Sequence, residues 1–332
     1  MEYSNFGNTE LNVSRIGFGA WAIGGAAQAG NIPIGWGPTD DRESVKAIQT
    51  ALDEGINFFD TADFYGLGHS EELLGKTLGN RDDVVIATKG GHRLAADKTI
   101  FTDYDPEYIR QACESSLRRL KRDAVDFYQL HTARVEDLEN PELINMMERL
   151  TRQGKIRYWG VSLNTWDPFP EGEYMIKNQS GSGIQIVFNI LNQRALPLLD
   201  PARDAGLGII ARMPLQFGLL AGKFTPNTTF PPGDHRHFRL RPEILTRVLP
   251  TLTPVMDLAA EYSVTPADIS LSFILAFQQI STVIPGIRTP EQARRNARSF
   301  IPLKEEDIAL LRDAYENRFA DILAEMERAE QS

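Results

Sequence analysis

Short apolar segments alternate with longer amphipathic segments along the whole chain, and this alternation restricts the fold more than any other feature. Helical patterns lie at 40–55, 105–121, 140–154 and 197–206, and Ser70 is the predicted N-cap of a further helix. Strands that alternate with helices form a parallel sheet covered by helices. The predicted strands are 15–21, 56–61, 83–89, 125–131, 156–162, 184–189, 207–212 and 281–286. Eight such units in 332 residues predict an α/β fold, a single (β/α)8 TIM barrel domain over residues 1–332.

The composition argues against several other classes of protein. The chain is 42% apolar and 24% charged, as in ordinary soluble globular proteins, and its net charge of −10 argues against a nucleic-acid surface. No apolar run reaches the length of a membrane span, and the first residues lack the pattern of a signal peptide. The predicted location is therefore the cytoplasm. Cys113 is the only cysteine, which excludes an intramolecular disulfide. The oligomeric state is left open.

Two long polar segments interrupt the alternation. Residues 22–38 follow the first predicted strand, and residues 213–240, rich in Pro, Gly, Thr and Asn, follow the seventh. Long connections of this kind are usually functional or disordered. Both are predicted to lie over the C-terminal mouth of the barrel, which is the face where such folds carry their sites.

Polar side chains capable of proton exchange stand at the ends of three neighbouring strands. The second predicted strand ends at Asp60, the third at Lys89 and the fourth at His131, and Tyr65 lies in the loop after the second. Taken singly, a buried Lys–Asp pair or a strand-end histidine is at least as often structural as functional. All four at adjacent strand ends favour a site at the C-terminal face.

The chemistry of these four residues fits one reaction. An ammonium close to a phenol stabilises the phenolate, and a carboxylate is the counter-ion that keeps a buried ammonium charged. Tyr65 is then a candidate proton donor to a carbonyl oxygen, while a neutral His131 donates a hydrogen bond to the same oxygen. A carbonyl that gains a proton also needs a hydride, which a nicotinamide cofactor supplies.

Five motifs resemble the aldo-keto reductase family, in the family's order and along the whole chain. They are GINFFDTADFYG (55–66), VVIATK (84–89), DFYQLH (126–131), GVS (160–162) and VIPG (283–286). GWGPTDD (35–41) and GLGHSEELLG (66–75) resemble a bacterial branch of the family. The resemblance implies NAD(P)H-dependent reduction of an aldehyde or ketone. It implies Tyr65 as proton donor, Lys89 and Asp60 as the pair that tunes it, and His131 as the residue that orients the carbonyl.

The same resemblance implies a set of cofactor contacts. The substrate pocket is expected to contain Trp21, Tyr65 and His131. The nicotinamide is expected to contact Gly19, Ala20, Trp21 and Asp60. Ser162 and Gln185 are expected to hydrogen-bond the carboxamide, and Arg212 to stack on the ring, where many members have an aromatic residue. The pyrophosphate is expected under the loop 214–223, at Pro214, Leu215, Gly218, Leu219 and Lys223. The adenosine phosphate is expected near Gly286, Arg288, Gln292 and Asn296. Leu163 stands where the family has an asparagine, and Asn164 follows it.

The preferred cofactor is predicted to be NADPH, with NADH as the alternative. Arg288 lies just before a predicted helix start at Thr289, and both a guanidinium and exposed helix amides bind phosphate well. Arg294, Arg295 and Arg298 are interpreted as charges on a solvated helix face.

Two motifs are rejected as ligand sites. GFGAWAIGG (17–25) lacks the spacing of a Rossmann glycine motif. DHRHF (234–238) contains a His-x-His pair but no evident third ligand, so it is interpreted as a solvated loop with a substrate contact rather than a metal site.

Three functions remain open from the sequence. The leading one is reduction of a small-molecule carbonyl, with neither nucleic acid nor membrane as partner. A second is a cofactor-binding regulatory subunit of a channel-like partner with weak reductase activity. A third is a metal-dependent barrel hydrolase, against which Lys89 and Tyr65 argue because they replace a His/Asp ligand set.

Overall fold

The computed structural model describes residues 1–331, with side chains to residue 328, and its centre is a parallel sheet of eight strands. The strands pair in chain order, and isolated parallel bridges from Ile16 to Val283 and from Gly19 to Gly286 join the last strand to the first. The sheet therefore closes into the predicted barrel. Its strands are β1 (Phe18–Gly19), β2 (Phe58–Asp60), β3 (Val85–Gly90), β4 (Val125–His131), β5 (Ile156–Ser162), β6 (Gly183–Val187), β7 (Gly208–Arg212) and β8 (Thr282–Ile284).

Helices surround the sheet, and several begin at a polar side chain that caps the helix. Asp40, Asp105, Asn140 and Thr289 each accept backbone N–H bonds at a helix start, as their residue types predict. The helices are α1 (Asp41–Asp53), α2 (His69–Leu78), α3 (Pro106–Leu120), α4 (Val135–Leu138), α5 (Pro141–Arg152), α6 (Phe169–Asn178), α7 (Leu199–Asp204), α8 (Arg236–Arg239), α9 (Pro242–Val248), α10 (Thr253–Glu261), α11 (Pro266–Leu275), α12 (Pro290–Ala297), α13 (Glu305–Ala314) and α14 (Ala320–Gln331).

The predicted cap of α2 is wrong. The helix begins at His69, and its N-cap is Gly68, whose φ of 101° is in the left-handed region. Ser70 lies inside the helix, where its hydroxyl donates to the carbonyl of Ala20 at 2.9 Å and contacts the Thr61 hydroxyl at 2.8 Å. A long-range contact has therefore replaced the local cap, and it ties the connections after β1 and β2 to each other.

The N-terminal hairpin, with strands Tyr3–Asn5 and Asn12–Ser14, closes the bottom of the barrel. Its Phe6 is fully buried beside the first residues of β6 and β7. A Cβ on Gly183 or Gly208 would come within 2.7 Å of the Phe6 ring, so glycines there make room for the plug. The opposite, C-terminal end is left as the accessible face.

Both long connections cover the C-terminal mouth, as predicted. Residues 22–38 contain a small hairpin (Gln28–Ala29 with Ile32–Pro33), and residues 213–240 contain a 3-10 turn (Gln216–Ala221) and α8. They meet at an antiparallel bridge between Trp36 and Asp234. A third hairpin, His92–Leu94 with Ile100–Thr102, leaves the end of β3 on the same side. No helix within residues 1–331 has the length and apolarity that crossing a membrane requires.

Candidate active site

The four residues singled out at the strand ends lie together at the C-terminal mouth. The centre of the group is the Lys89 ammonium on β3. Its Nζ lies 2.6 Å from Oδ1 of Asp60, 2.8 Å from the carbonyl oxygen of Thr61 and 3.2 Å from the Tyr65 hydroxyl. An ammonium has three N–H donors, and each finds an acceptor here.

Lys89 is fully buried, so its charge state depends on these partners. Burial alone would lower its pKa, but the Asp60 carboxylate and the Tyr65 oxygen outweigh burial and hold the pKa above its ordinary value. The side chain is therefore an ammonium throughout the physiological pH range. A fixed positive charge beside the Tyr65 oxygen is the feature expected of a stabilised phenolate.

The second carboxylate oxygen of Asp60 accepts from two buried amides. Gln185 Nε2 donates to Oδ2 at 2.7 Å and Gln129 Nε2 donates at 3.2 Å, while Ser162 Oγ donates to Gln185 Oε1 at 3.3 Å. Gln185 and Ser162, expected at a carboxamide, are thus part of the support for Asp60. Gln129 was missed from the sequence, although it lies two residues before His131 and therefore on the same face of β4.

Tyr65 lies on a 3-10 turn whose backbone is set by glycine. Gly66 has a φ of 61°, and a Cβ on it would lie 2.0 Å from the carbonyl oxygen of Gly24. The turn can therefore pack against the connection after β1 only with glycine at this position. The Tyr65 ring stacks on Trp21 with centroids 6.0 Å apart, which places its hydroxyl at the mouth beside Lys89.

His131 ends β4 with its ring edge-on to Tyr65, the centroids 6.1 Å apart. Burial, followed by electrostatic interaction with His92, Lys89 and Arg212, holds its pKa well below the ordinary value. The imidazole is therefore neutral at physiological pH and carries one N–H. Nδ1 is buried and finds no hydrogen-bond partner among the described residues, so a donor function falls to Nε2.

A cavity of about 470 Å³ joins these side chains to the two long connections. Four of the residues expected to contact the cofactor do not line this cavity: Ala20, Ser162, Leu219 and Arg288. Of the expected residues it is lined by Gly19, Trp21, Asp60, Tyr65, His131, Gln185, Arg212, Pro214, Leu215, Gly218, Lys223, Gly286, Gln292 and Asn296. Lys89 lies directly beneath, behind Asp60 and Tyr65.

Two arginines near α12 bear on the expected phosphate contact, and one of them, Arg295, differs from expectation. The Arg288 guanidinium donates to the carbonyl oxygens of Trp36 at 3.3 Å and Pro38 at 2.7 Å, so it fastens the connection 22–38. Arg295, expected on a solvated face, instead lines the cavity with a buried Nε that has no hydrogen-bond partner among the described residues. The short helix α12 faces the cavity with one of its sides. Because nearly all of its residues are polar, the sequence pattern did not indicate which side that is.

Two residues near β5 and β7 have protein partners. Arg212 lines the cavity and donates to the carbonyl oxygen of Leu163 at 3.1 Å and to the Thr165 hydroxyl at 3.0 Å. Asn164 accepts the backbone N–H groups of Trp166 and Asp167 at 2.9 and 3.1 Å. Its side-chain oxygen therefore shapes the turn after β5.

The expectation of a solvated loop at 234–238 is wrong for His235. Its ring is fully buried, with centroids 4.5 Å from Trp21, 5.0 Å from Trp36 and 5.1 Å from Phe217. Burial, with the charge of Arg239, lowers the pKa of His235 to about 3. Among the described residues no three His, Cys, Asp or Glu side chains are grouped as a metal ion requires.

The cavity also has buried hydrogen-bond donors and an acceptor that suit a nucleotide. Gln216 Nε2, Arg295 Nε and Asn296 Oδ1 are buried polar atoms with no hydrogen-bond partner among the described residues. Phe217 and Gly218, which line the same cavity, have left-handed backbone conformations, so the chain makes a tight turn there. Buried polar groups of this kind cost free energy unless a ligand or water satisfies them. The residues present therefore fit a nicotinamide dinucleotide.

Comparison with known proteins agrees with this geometry. The model of the aldo/keto reductase family matches residues 15–316. The chain belongs to the aldo/keto reductase family. It is 31% identical to an oxidoreductase, YqkF, of Bacillus subtilis (94% of this chain, 95% of the relative). It is also 31% identical to the NADH-specific methylglyoxal reductase of Escherichia coli (93% and 97%).

Solved structures of the family superimpose on the whole barrel. The glycerol dehydrogenase AKR11B4 from Gluconobacter oxydans has a TM-score of 0.78 and 29% identity, covering 94% of each chain. The holo form of the aldo-keto reductase AKR11C1 from Bacillus halodurans has a TM-score of 0.75 and 26% identity, covering 96% of this chain and 99% of that one. The (β/α)8 barrel of these proteins is the fold described above.

Proposed function

We propose that this aldo/keto reductase uses NAD(P)H to reduce a small aldehyde or ketone to an alcohol. The observation that carries the proposal is the position of the Lys89 ammonium, within hydrogen-bond distance of both Asp60 and the Tyr65 hydroxyl. A neutral His131 stands beside that hydroxyl at the same cavity. This set provides a proton donor, a charge that stabilises it, and a second donor for one carbonyl oxygen.

A bound reduced nicotinamide supplies the hydride that the carbonyl carbon receives. Tyr65 gives its phenolic proton to the carbonyl oxygen as negative charge develops there. Lys89 stabilises the phenolate that remains, and Asp60, held by Gln129 and Gln185, keeps the ammonium in position. The neutral N–H of His131 donates to the same carbonyl oxygen and orients it. In the direction of alcohol oxidation the phenolate takes the proton back.

We propose NADPH as the preferred cofactor, with Arg288 and Arg295 as the residues that would hold its 2′-phosphate. The present partners of Arg288 are neutral carbonyl oxygens, whereas a phosphate offers a guanidinium charged oxygens in a geometry that allows two parallel hydrogen bonds. Arg295 already offers an unpaired Nε at the cavity. Because one relative is NADH-specific, family membership alone does not decide the preference.

The comparisons do not support the alternative of a regulatory subunit of a channel-like partner. The cytoplasmic location stays a prediction.

The test is a direct assay of purified protein with NADPH or NADH and a panel of small aldehydes and ketones. Cofactor oxidation is followed by the loss of the reduced nicotinamide absorbance. We expect turnover with at least one carbonyl, and a higher kcat/KM with NADPH. Absence of turnover with every pair, from protein that binds cofactor, would contradict the proposed reaction. A higher kcat/KM with NADH would contradict the proposed preference alone.

A further inference from the structure

A second histidine lies face to face with His131. The His92 ring is nearly parallel to it, with an interplanar angle of 8° and centroids 4.0 Å apart. Its Nε2 lies 2.8 Å from the hydroxyl of Thr132, the residue after His131. His92 also lines the cavity, and the Phe64 ring packs edge-on against it with centroids 5.5 Å apart. The two imidazole rings are therefore in direct face-to-face contact.

The fold fixes both histidines through one tyrosine. Gly91, just before His92, has a φ of 130°, and a Cβ there would lie 2.5 Å from Cε1 of Tyr104. The glycine therefore lets Tyr104 pack against the start of the hairpin that carries His92. The Tyr104 hydroxyl donates to the backbone carbonyl oxygen of His131 at 2.5 Å. The backbones that carry the two rings are thus set against each other.

Thr132 adds a strained position to this arrangement. Its φ of 66° is unusual for a β-branched residue and costs of order 1–3 kcal/mol. Two contacts hold it: its N–H donates to the carbonyl oxygen of Ser162 at 2.9 Å, and its hydroxyl contacts His92. The bond from His92 therefore supports the backbone turn that directly follows His131.

Burial and the neighbouring charges keep both rings neutral. Lys89 approaches from β3 and Arg212 from β7, while the Phe64 ring meets His92 edge-on and the Tyr65 ring meets His131 edge-on. Burial, followed by Arg212 and Lys89, lowers the pKa of His92 to about 4. A proton on either ring would meet two fixed cations and a stacked neighbour. The two rings therefore stack in their neutral form, and in that form the His131 imidazole carries a single N–H donor.

We propose that His92 is a positioning residue for carbonyl reduction, because its stacked ring holds the His131 imidazole in the plane from which it donates to the substrate oxygen. This proposal rests on the function proposed above. His92 acts through His131, and its removal should change turnover without changing cofactor affinity.

Three variants separate the stack from the hydrogen bond. His92→Ala removes both, His92→Phe keeps a flat ring, and His92→Gln keeps a polar group for Thr132. We expect kcat to fall roughly 10- to 100-fold in His92→Ala, the range in which small misplacements of reacting groups fall. His92→Phe should keep kcat within about threefold of wild type, and His92→Gln should resemble the alanine variant. The dissociation constant for NADPH should be unchanged in all three.

Two kinetic results would overturn the proposal. One is a wild-type kcat in His92→Ala. The other is a phenylalanine variant as slow as the alanine variant, which would place the effect in the bond to Thr132. Far- and near-ultraviolet circular dichroism of each variant identifies any that fails to fold.

A second measurement does not depend on turnover. NMR of ring-labelled histidine, with His131 assigned from a His131→Asn sample, follows protonation of His131 as pH falls. Its pKa should rise toward the ordinary value in His92→Ala, where the ring is opened to water, and should stay low in His92→Phe. The same titration in wild type and His92→Ala would overturn the proposal. A wild type that reduces no carbonyl would refute the proposed function, while this titration would still decide whether His92 fixes His131.

Discussion

Lys89→Met removes the cation from the centre of the site and leaves the Asp60 carboxylate buried. Both side chains are almost inaccessible, at 0% for Lys89 and 2% for Asp60, and their charged atoms are 2.6 Å apart. Methionine nearly fills the same volume, so the cavity left behind is small. The remaining partners of Asp60 are two amides, which cannot neutralise its charge. Breaking a buried pair in this way costs about 3–5 kcal/mol of unfolding free energy.

The assay is urea unfolding of wild type and variant, with Lys155→Met as matched control. Lys155 Nζ lies at the same 2.6 Å from Glu114, but those side chains are 31% and 25% exposed. Breaking this partly exposed pair should cost about 0–1 kcal/mol. The double variant Lys89→Met/Asp60→Asn should recover much of the loss, because no unpaired charge remains. A Lys89→Met loss no larger than the control's would refute the reasoning.

The same substitution has a kinetic consequence. Without the ammonium, the Tyr65 phenolate loses the charge that stabilises it, so alcohol oxidation should require a higher pH. The pH profile of kcat for oxidation should therefore shift to the alkaline side in Lys89→Met. A profile in the wild-type position would show that Lys89 does not tune Tyr65.

Three further predictions follow from single contacts. Arg288→Ala and Arg295→Ala should each weaken NADPH binding by roughly 1.5–3 kcal/mol and NADH binding little, as measured by fluorescence titration; equal losses for both cofactors would exclude a phosphate contact. His235 stays neutral in the fold down to about pH 3, whereas an unfolded histidine binds a proton below about pH 6.5, so stability should fall as pH falls through this interval. Between about pH 7.5 and about pH 4.5, wild type should lose roughly 2–3 kcal/mol more than His235→Phe, and equal losses in urea unfolding would contradict this. Gly91→Ala should destabilise the folded protein by about 1–3 kcal/mol. Gly154→Ala is the control and should destabilise it less, because the left-handed backbone of Gly154 has open space around it. A smaller decrease in melting temperature for Gly91→Ala than for Gly154→Ala would disprove the steric role of the contact with Tyr104.

The barrel itself was readable from the sequence, since eight apolar segments with intervening helices leave few other topologies. The predicted bounds of β4 and β5 agree with the structure residue for residue. The sheet buries every residue of β4 but the last, and every residue of β5 except Arg157 and Tyr158. β1 is shorter than predicted. A Cβ at Gly19 would lie 2.9 Å from the carbonyl oxygens of Ile284 and Pro285, so close packing at the closure point, rather than regular pairing, sets the backbone there.

The central residues of the candidate site were predicted because they stand at strand ends, whose place in a barrel is fixed by topology. The residues that were missed lie where topology says less. His92 and His235 belong to connections, and their positions depend on backbone turns such as Gly91 and on aromatic neighbours from distant segments. The inward side of α12, which brings Arg295 to the cavity, likewise depends on packing that a run of polar residues does not reveal.

Tyr65→Phe tests the central claim most directly. The hydroxyl is needed only as charge develops on the substrate oxygen, so kcat for carbonyl reduction should fall on the order of 10²–10⁴-fold. The dissociation constant for NADPH and the unfolding free energy should stay close to wild type. Tyr174→Phe is the matched control, since its hydroxyl bonds the carbonyl oxygen of Leu138 away from the cavity. A Tyr65→Phe protein that reduces carbonyls at the wild-type rate would contradict the assignment of Tyr65 as the proton donor.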